Sequence, residues 1–444
     1  MLELLHGSSP VQCENERIRM GDAAWPAPFL PGLEYNSPAH GTWNIVHTGM
    51  LIPDSHQIYV CAANCNRGVI LTAAEMNAVD RFSSIVIQEE NLINGDMEEL
   101  VIEGVTEILL KLERKPSVVL LFTVCIHHFM GCDLGYIYST LRERFPGQCF
   151  VDCYMDPIMQ KGGMTPDEKL RIRLYAPLVK RKKNRRQINI IGNDLPTDPD
   201  SDILAFIKES GYEVKDITSC NDFEEYLSMA ESFLNITSYP SAKKGGDILS
   251  KRLEMEHLYM PQSFSYEELD AQFFRLADIL GTNPPETAQL KKKCEMSLEK
   301  AKEQIGDTRI SIDASAVPRI LGLTRLLLSH GLRVFRIYTD GFSPEEEGDY
   351  HWLREHYPDL EVCATIHPGM RIFPRKSQEK ILAIGQKAAY FSQTPYFVNM
   401  VEGGGLFGYS AICRLAERMC EAFFEEKDTK DLIVRKGLGC ESCI

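Results

Sequence analysis

Two short stretches carry the residues best suited to chemistry. Gln57 to Gly68 (QIYVCAANCNRG) places Cys61 and Cys65 at the end of an apolar run, and Leu120 to Ile137 (LLFTVCIHHFMGCDLGYI) places Cys125 and Cys132 after another. Both set thiols where a strand should end. In an open α/β sheet ligands bind beyond the carboxyl ends of the strands, so four thiols delivered by two strands could share one site. Soft thiolates there suit zinc or an iron–sulfur cluster. Cysteine is also among the most often buried residue types, which leaves open a reading of the four as small core residues. Apolar burial does not account for Asn64, Asn66, His127, His128, Gly131 and Asp133 beside them.

Strands that present such thiols need a parallel sheet, and the order of elements supplies one. Ile58 to Val60 leads into the first thiol loop, with Asn-Arg-Gly as a turn signal. Helical spacing over Gly68 to Val79 and a β-branched run at Ser84 to Gln88 follow. Glu89 to Glu99 reads as a polar loop opening a helix that runs to Glu113. Val118 to Val124 is a strand, Leu134 to Arg144 a helix and Gln148 to Cys153 a strand. Alternation of this kind implies helices on both faces of a parallel sheet. Upstream, Thr42 to Val46 reads as a short apolar stretch ended by a turn at His47-Thr48-Gly49. Met1 to Gly32 reads as an extended arm containing Cys13.

The same order recurs twice. A second unit runs from the strand Ile188 to Gly192 to the strand-like His257 to Met260, after a basic run, Lys180 to Arg186, read as a solvated linker. A long exposed helix is expected from Pro285 to Gln304, with Cys294 lacking a partner nearby. The third unit alternates from Thr308 to Thr365. Asp313 and Ser315, before its first helix, suggest a cap in preference to an anion site, and GGGLFGYSA (Gly403 to Ala411) suggests close packing at the last helix. The expected domains are 1–180, 181–284 and 285–430, with a tail at 431–444 holding Cys440 and Cys443. The fold class is thus α/β, three consecutive Rossmann-like doubly wound domains with parallel sheets.

The whole chain bounds the function. Its 444 residues carry a net charge of -15, which excludes a nucleic-acid partner held by bulk electrostatics. No apolar run reaches membrane-spanning length and the N-terminus lacks a signal peptide's pattern, so a cytoplasmic location with no membrane partner is expected. Fourteen cysteines are many for that compartment and point to metal, cluster or redox chemistry. Neither GxGxxG nor GxxxxGK[ST] occurs, so any nucleotide hydrolysis falls to another chain.

With these units in view, QEENLINGDMEELVIEGV, the GCDLGYI segment after Cys125, and GLFGYSAICRLAERM resemble the nitrogenase component 1 family over about Tyr35 to Glu426. Cys125 resembles that family's third cluster cysteine, and Cys61, or in its place Cys65, the second. The resemblance implies an oxidoreductase subunit that binds an iron–sulfur cluster of 4Fe–4S size or larger. It also implies an ATP-dependent iron protein as electron donor and a homologous subunit in a homo- or heterodimer or tetramer. Cys61, Cys65, Cys125 and Cys132 are the expected ligands, with Arg67, His127 and Asp133 as groups tuning them. The family's first cluster cysteine should fall near Tyr35 to His40, where none stands. Cys13, Cys65, Cys132, Asp133 or a partner subunit could take its place. No cysteine between Asn235 and Pro261 matches the ligand of nitrogenase's molybdenum–iron cofactor, which argues against dinitrogen reduction and leaves the substrate unassigned. A scaffold for cluster assembly, or a cluster-free partner in a heterodimer, are the alternatives.

Overall fold

The structure is a computed structural model that describes residues 16–30, 32, 45–155, 164–373, 379–429 and 431–432. Cys13, the Tyr35 to His40 segment and the terminal Cys440 and Cys443 lie outside them. Fourteen strands form three sheets among the described residues. The arm contributes β1 (Arg17–Arg19). The first sheet holds β2 (Ser55–Cys61), β3 (Phe82–Val86), β4 (Val118–Val124) and β5 (Cys149–Met155) in the order β3-β2-β4-β5. The second holds β6 (Asn184–Ile191), β7 (Glu213–Asp216), β8 (Ser232–Thr237) and β9 (Glu256–Tyr259) in the order β7-β6-β8-β9. The third holds β10 (Arg309–Asp313), β11 (Val334–Tyr338), β12 (Glu361–Cys363), β13 (Ile381–Ile384) and β14 (Phe397–Val398) in the order β1-β12-β11-β10-β13-β14. Every pairing is parallel except that of β1 with β12.

The chain divides into two compact units. One comprises the described part of Gly41–Gln262 with Gln272–Pro285 and contains the first two sheets. The other comprises the described parts of Met1–His40 and Glu286–Gly437 with Ser263–Ala271, and contains the third.

In the first unit β2 and β4 are buried along their whole length, because helices cover both faces of a parallel sheet and the strands become continuous apolar runs. Tyr59 and Phe122 stack at their centre with ring centroids 4.2 Å apart. Local signals gave way to packing at four places. His47-Thr48-Gly49 is not a turn after a strand but part of a helix, Ile45–Met50, whose Thr48 hydroxyl donates to Asp167 and Asp194 at 3.3 Å each. Asn-Arg-Gly is no turn either, since the helix Ala63–Glu75 runs through it, and the second thiol loop opens with the short helix Cys125–Met130. The polar loop at Glu89 to Glu99 contains a helix of its own, Glu89–Asn94. Gly95 ends it at a φ of 68° that favours glycine, and the helix Met97–Lys111 follows.

The basic run is only partly a linker. β6 already begins at Asn184, and Arg181 bridges Glu224 at 2.9 Å and Glu231 at 3.3 Å.

In the second unit the arm is a structural strand, and Trp25 stacks on Phe342 behind it. The long charged helix, Thr287–Ile305, is not exposed all round. Cys294, Leu298, Ala301 and Ile305 form a buried stripe at helical spacing against the helix Tyr409–Phe424. Cys294 does have a partner, since Cys413 Sγ lies 3.7 Å from its sulfur.

Glu346 is buried in this unit and accepts from the Leu321 amide at 2.6 Å, Gly322 at 3.1 Å and Ser343 at 3.3 Å. Burial pushes its carboxyl from the ordinary 4.5 up to about 7. The folded chain therefore holds a proton there that the unfolded chain releases. Stability from this group is fully present below 4.5 and is lost as pH rises to about 7. At 1.36 kcal/mol per unit that is about 3 kcal/mol. Urea titrations between about pH 5 and about pH 8 should show this decline in the wild type and a flatter profile in Glu346→Gln.

Candidate functional site

Each sheet has one topological switch point, where successive connections leave in opposite directions and open a crevice at the carboxyl ends of two adjacent strands. In the second sheet it lies between β6 and β8, and protein fills it. Arg171, fully buried, donates from Nη1 to the Gly192 carbonyl at 2.6 Å, from Nε to Asp167 at 2.8 Å and from Nη2 to Asp194 at 2.9 Å. In the third it lies between β10 and β13. There the buried Asp313 carboxylate accepts from the amides of Ser315 at 2.9 Å and Ala388 at 2.7 Å. Asp313 thus ties two strand ends together and caps no long helix, since the next one starts at Ile320.

The first sheet differs. Its switch point lies between β2 and β4, whose parallel register pairs Tyr59 with Phe122. Cys61 is the last residue of β2, and Cys125 follows directly on β4. Adjacent strands are about 5 Å apart, so the two thiol-bearing strand ends are neighbours. Cys61 is fully buried, and burial followed by the nearby Cys65 pushes its thiol up to about 12. Cys65 is exposed, in the first turn of the helix Ala63–Glu75. Cys125 is half-buried and opens the helix Cys125–Met130, which Gly131 ends at a φ of 67°.

Cys132 sits beyond that glycine. It is half-buried, and its thiol is pushed up by burial and then by the Glu98 carboxylate. Asp133 serves as N-cap of the helix Leu134–Arg144, accepting from the Tyr136 amide at 2.9 Å, while its own amide donates to Glu98 at 2.9 Å. Glu98 is a residue that sequence reading passed over; its only signal was its place in the NGDMEEL run. Arg67 is exposed on the helix Ala63–Glu75.

Two buried polar atoms at this crevice lack a partner among the described residues: Asn66 Oδ1 and His127 Nε2. His127 Nδ1 is engaged, 3.2 Å from the Val124 amide nitrogen and 3.3 Å from its carbonyl oxygen, and burial holds the imidazole pKa below its ordinary value. Large exposed apolar side chains stand on helices leaving the same edge of the sheet: Ile93 at 82%, Phe129 at 71% and Tyr136 at 50% exposure.

The fit to a thiolate-bound cluster is therefore partial. The donors are of the right kind, and unpartnered buried polar atoms adjoin them. Yet no three His, Cys, Asp or Glu side chains are grouped to hold a metal ion among the described residues. A cavity of about 710 Å³ lies instead at the opposite ends of β2 and β4, lined by His56, Arg81, Arg114 and Asp222. Arg81 is spent there on the Ser55 and Ile52 carbonyls, at 3.1 and 2.7 Å, and the cavity holds none of the candidate thiols.

Fold and site define an α/β protein of several parallel-sheet units, with two thiol-bearing strand ends side by side at the first sheet's switch point. The chain belongs to the nitrogenase component 1 type oxidoreductases, whose family model matches residues 46–424. Among solved structures it is similar to "Nitrogenase Cp1 at pH 6.5", at 14% identity and a TM-score of 0.66, over 89% of this chain and 94% of that one. It is also similar to "Nitrogenase Cp1 at pH 5", at 11% identity and a TM-score of 0.59, over 92% and 94%. At such identities the likeness is one of fold. No curated protein matches the chain by sequence. Among the described residues no helix is long and apolar enough to cross a membrane.

Proposed function

We propose that this chain is a redox subunit that contributes Cys65 and Cys125 to an iron–sulfur cluster completed by a homologous chain, and that an ATP-dependent iron protein is its electron donor. The observation that supports this reading is the pair of adjacent strand ends at the first sheet's switch point, one ended by Cys61 with Cys65 in the helix that follows and the other followed by Cys125, with no group of three ligating side chains among the described residues. When bound, a cluster of 4Fe–4S size or larger supplies reversible one-electron storage.

The chain's own residues have separate tasks. Cys65 lies, exposed, in the first turn of a thirteen-residue helix. Cys125 directly follows the end of the adjacent strand β4. Cys61, neutral and enclosed, packs behind them, with Cys132 as a further donor nearer Glu98. His127 Nε2 can donate to cluster sulfur, and Ile93, Phe129 and Tyr136 form an apolar rim for the second chain to cover. The exposure of Cys65 also favours a second reading, a scaffold that hands its cluster on.

Anaerobic protein mixed with a nitrogenase-type iron protein, MgATP and dithionite separates the two. A cluster EPR signal that changes only when iron protein and MgATP are both present supports the redox subunit. Loss of iron to an added apo-acceptor, with no ATP-dependent change, supports the scaffold, and protein that holds no cluster at all overturns both.

A further inference from the structure

The third sheet carries a second pair of thiols unrelated to the switch-point cysteines. The helix Tyr409–Phe424 packs on β13 and β14, and the helix Thr287–Ile305 lies along it. Where they meet, Cys294 Sγ and Cys413 Sγ are 3.7 Å apart, although the residues are 119 positions apart in sequence. Cys294 is fully buried and its thiol donates to the Tyr409 carbonyl at 3.3 Å. Cys413 is half-buried and is the more exposed residue of the two.

Sulfurs in van der Waals contact need approach by only about 1.7 Å to reach a disulfide's bond length of about 2.05 Å. A rotation of the Cys413 side chain on its helix face supplies movement of that order. Cys420, two turns further along the same helix, adjoins Lys300.

We propose that Cys294 and Cys413 form an oxidative modification site, a dithiol that peroxide converts to a disulfide joining the two helices. The Cys413 thiol gives up its proton as its sulfur attacks one peroxide oxygen; the O–O bond breaks, and the departing hydroxide takes that proton, giving a sulfenic acid and water. Cys294 sulfur then attacks the sulfenic sulfur, the S–O bond breaks, and the departing oxygen takes the Cys294 proton as a second water. Two thiols lose two electrons and one peroxide gains them. The bond closes a loop that contains all five parallel strands of the third sheet, β10 to β14, and so constrains the unfolded chain strongly. It needs no cluster at the first sheet.

The test uses the full chain, reduced, desalted and then exposed to a modest excess of hydrogen peroxide. Remaining thiols are alkylated after denaturation, and peptides are mapped without reductant. The expected product is a linked peptide pair carrying Cys294 and Cys413, two hydrogens lighter than the sum of its parts. It should be reversed by dithiothreitol and accompanied by a higher Tm. Cys413→Ser should abolish the pair and the Tm shift, while Cys420→Ser should keep both. Cys294 and Cys413 both still alkylated after peroxide, Cys413 linked to Cys420, or Cys413 driven to sulfinic acid beside a reduced Cys294 would each overturn the proposal. The map of the wild type decides it even if a variant fails to fold.

Discussion

Cys65→Ser and Cys125→Ser are each expected to strip the protein of iron while leaving it folded. Serine keeps the shape but offers a hard hydroxyl in place of a soft thiolate, so affinity for a cluster collapses. Both side chains lie in first helical turns with solvent contact, where such an exchange changes stability by no more than about 0.5 kcal/mol. Two other substitutions set the scale. His127→Gln disturbs a polar neighbour and should cost roughly 10–100-fold in metal affinity, the usual range for groups hydrogen-bonded around a site. Cys61→Ser places a hydroxyl in a fully buried apolar position and should instead appear as a lower Tm, at a cost of about 1–3 kcal/mol. Iron and acid-labile sulfide assays beside thermal melts, all on anaerobic protein, distinguish these outcomes. Iron retained in both Cys65→Ser and Cys125→Ser would remove them from the site.

The largest stability effect should come from Arg171→Ala. Its guanidinium is enclosed between Asp167 and Asp194, whose side chains are 11% and 5% exposed. Removing it leaves two carboxylates out of water with no cation, a change that costs about 3–5 kcal/mol. Against a typical stability of about 5–15 kcal/mol this is a large fraction. Replacing Arg171, Asp167 and Asp194 together by apolar residues should recover part of the loss, because the penalty comes from unpaired charge. Arg19→Ala, which breaks an ion pair with 71% and 86% exposed side chains, should change little. Urea midpoints for the three variants test the ordering. Equal midpoints for Arg171→Ala and Arg19→Ala would show that the buried triad does not hold the second sheet's crevice closed.

Much of the fold was legible because its strongest signals are local. VVLLFTV and IYVC are apolar, β-rich runs bounded by polar residues, and both are strands of the first sheet. That Cys61 and Cys125 fall at strand ends follows from the same runs. Shorter elements escaped. β13 has four residues and β14 two, too few for periodicity to register. The helix Ile45–Met50 was hidden by a His-Thr-Gly signal that long-range bonds to Asp167 and Asp194 override. The apolar stripe Cys294, Leu298, Ala301, Ile305 was present in the sequence but masked by surrounding lysines and glutamates. Its partner on the helix Tyr409–Phe424 lies beyond a whole sheet, which no local pattern spans. The unpartnered atoms of Asn66 and His127 depend on what surrounds each atom in space, so residue type alone did not reveal them.

The central claim is that this chain holds part of a cluster and needs a homologous chain to hold the rest. Native mass spectrometry of anaerobically purified protein tests it most directly, since one spectrum gives both the assembly state and the bound mass. The expected species is an assembly of two homologous chains carrying one iron–sulfur cluster between them, with iron lost when the assembly dissociates. A single chain that retains a whole cluster by itself, or a paired assembly that stays metal-free after reconstitution with iron and sulfide, would contradict the account.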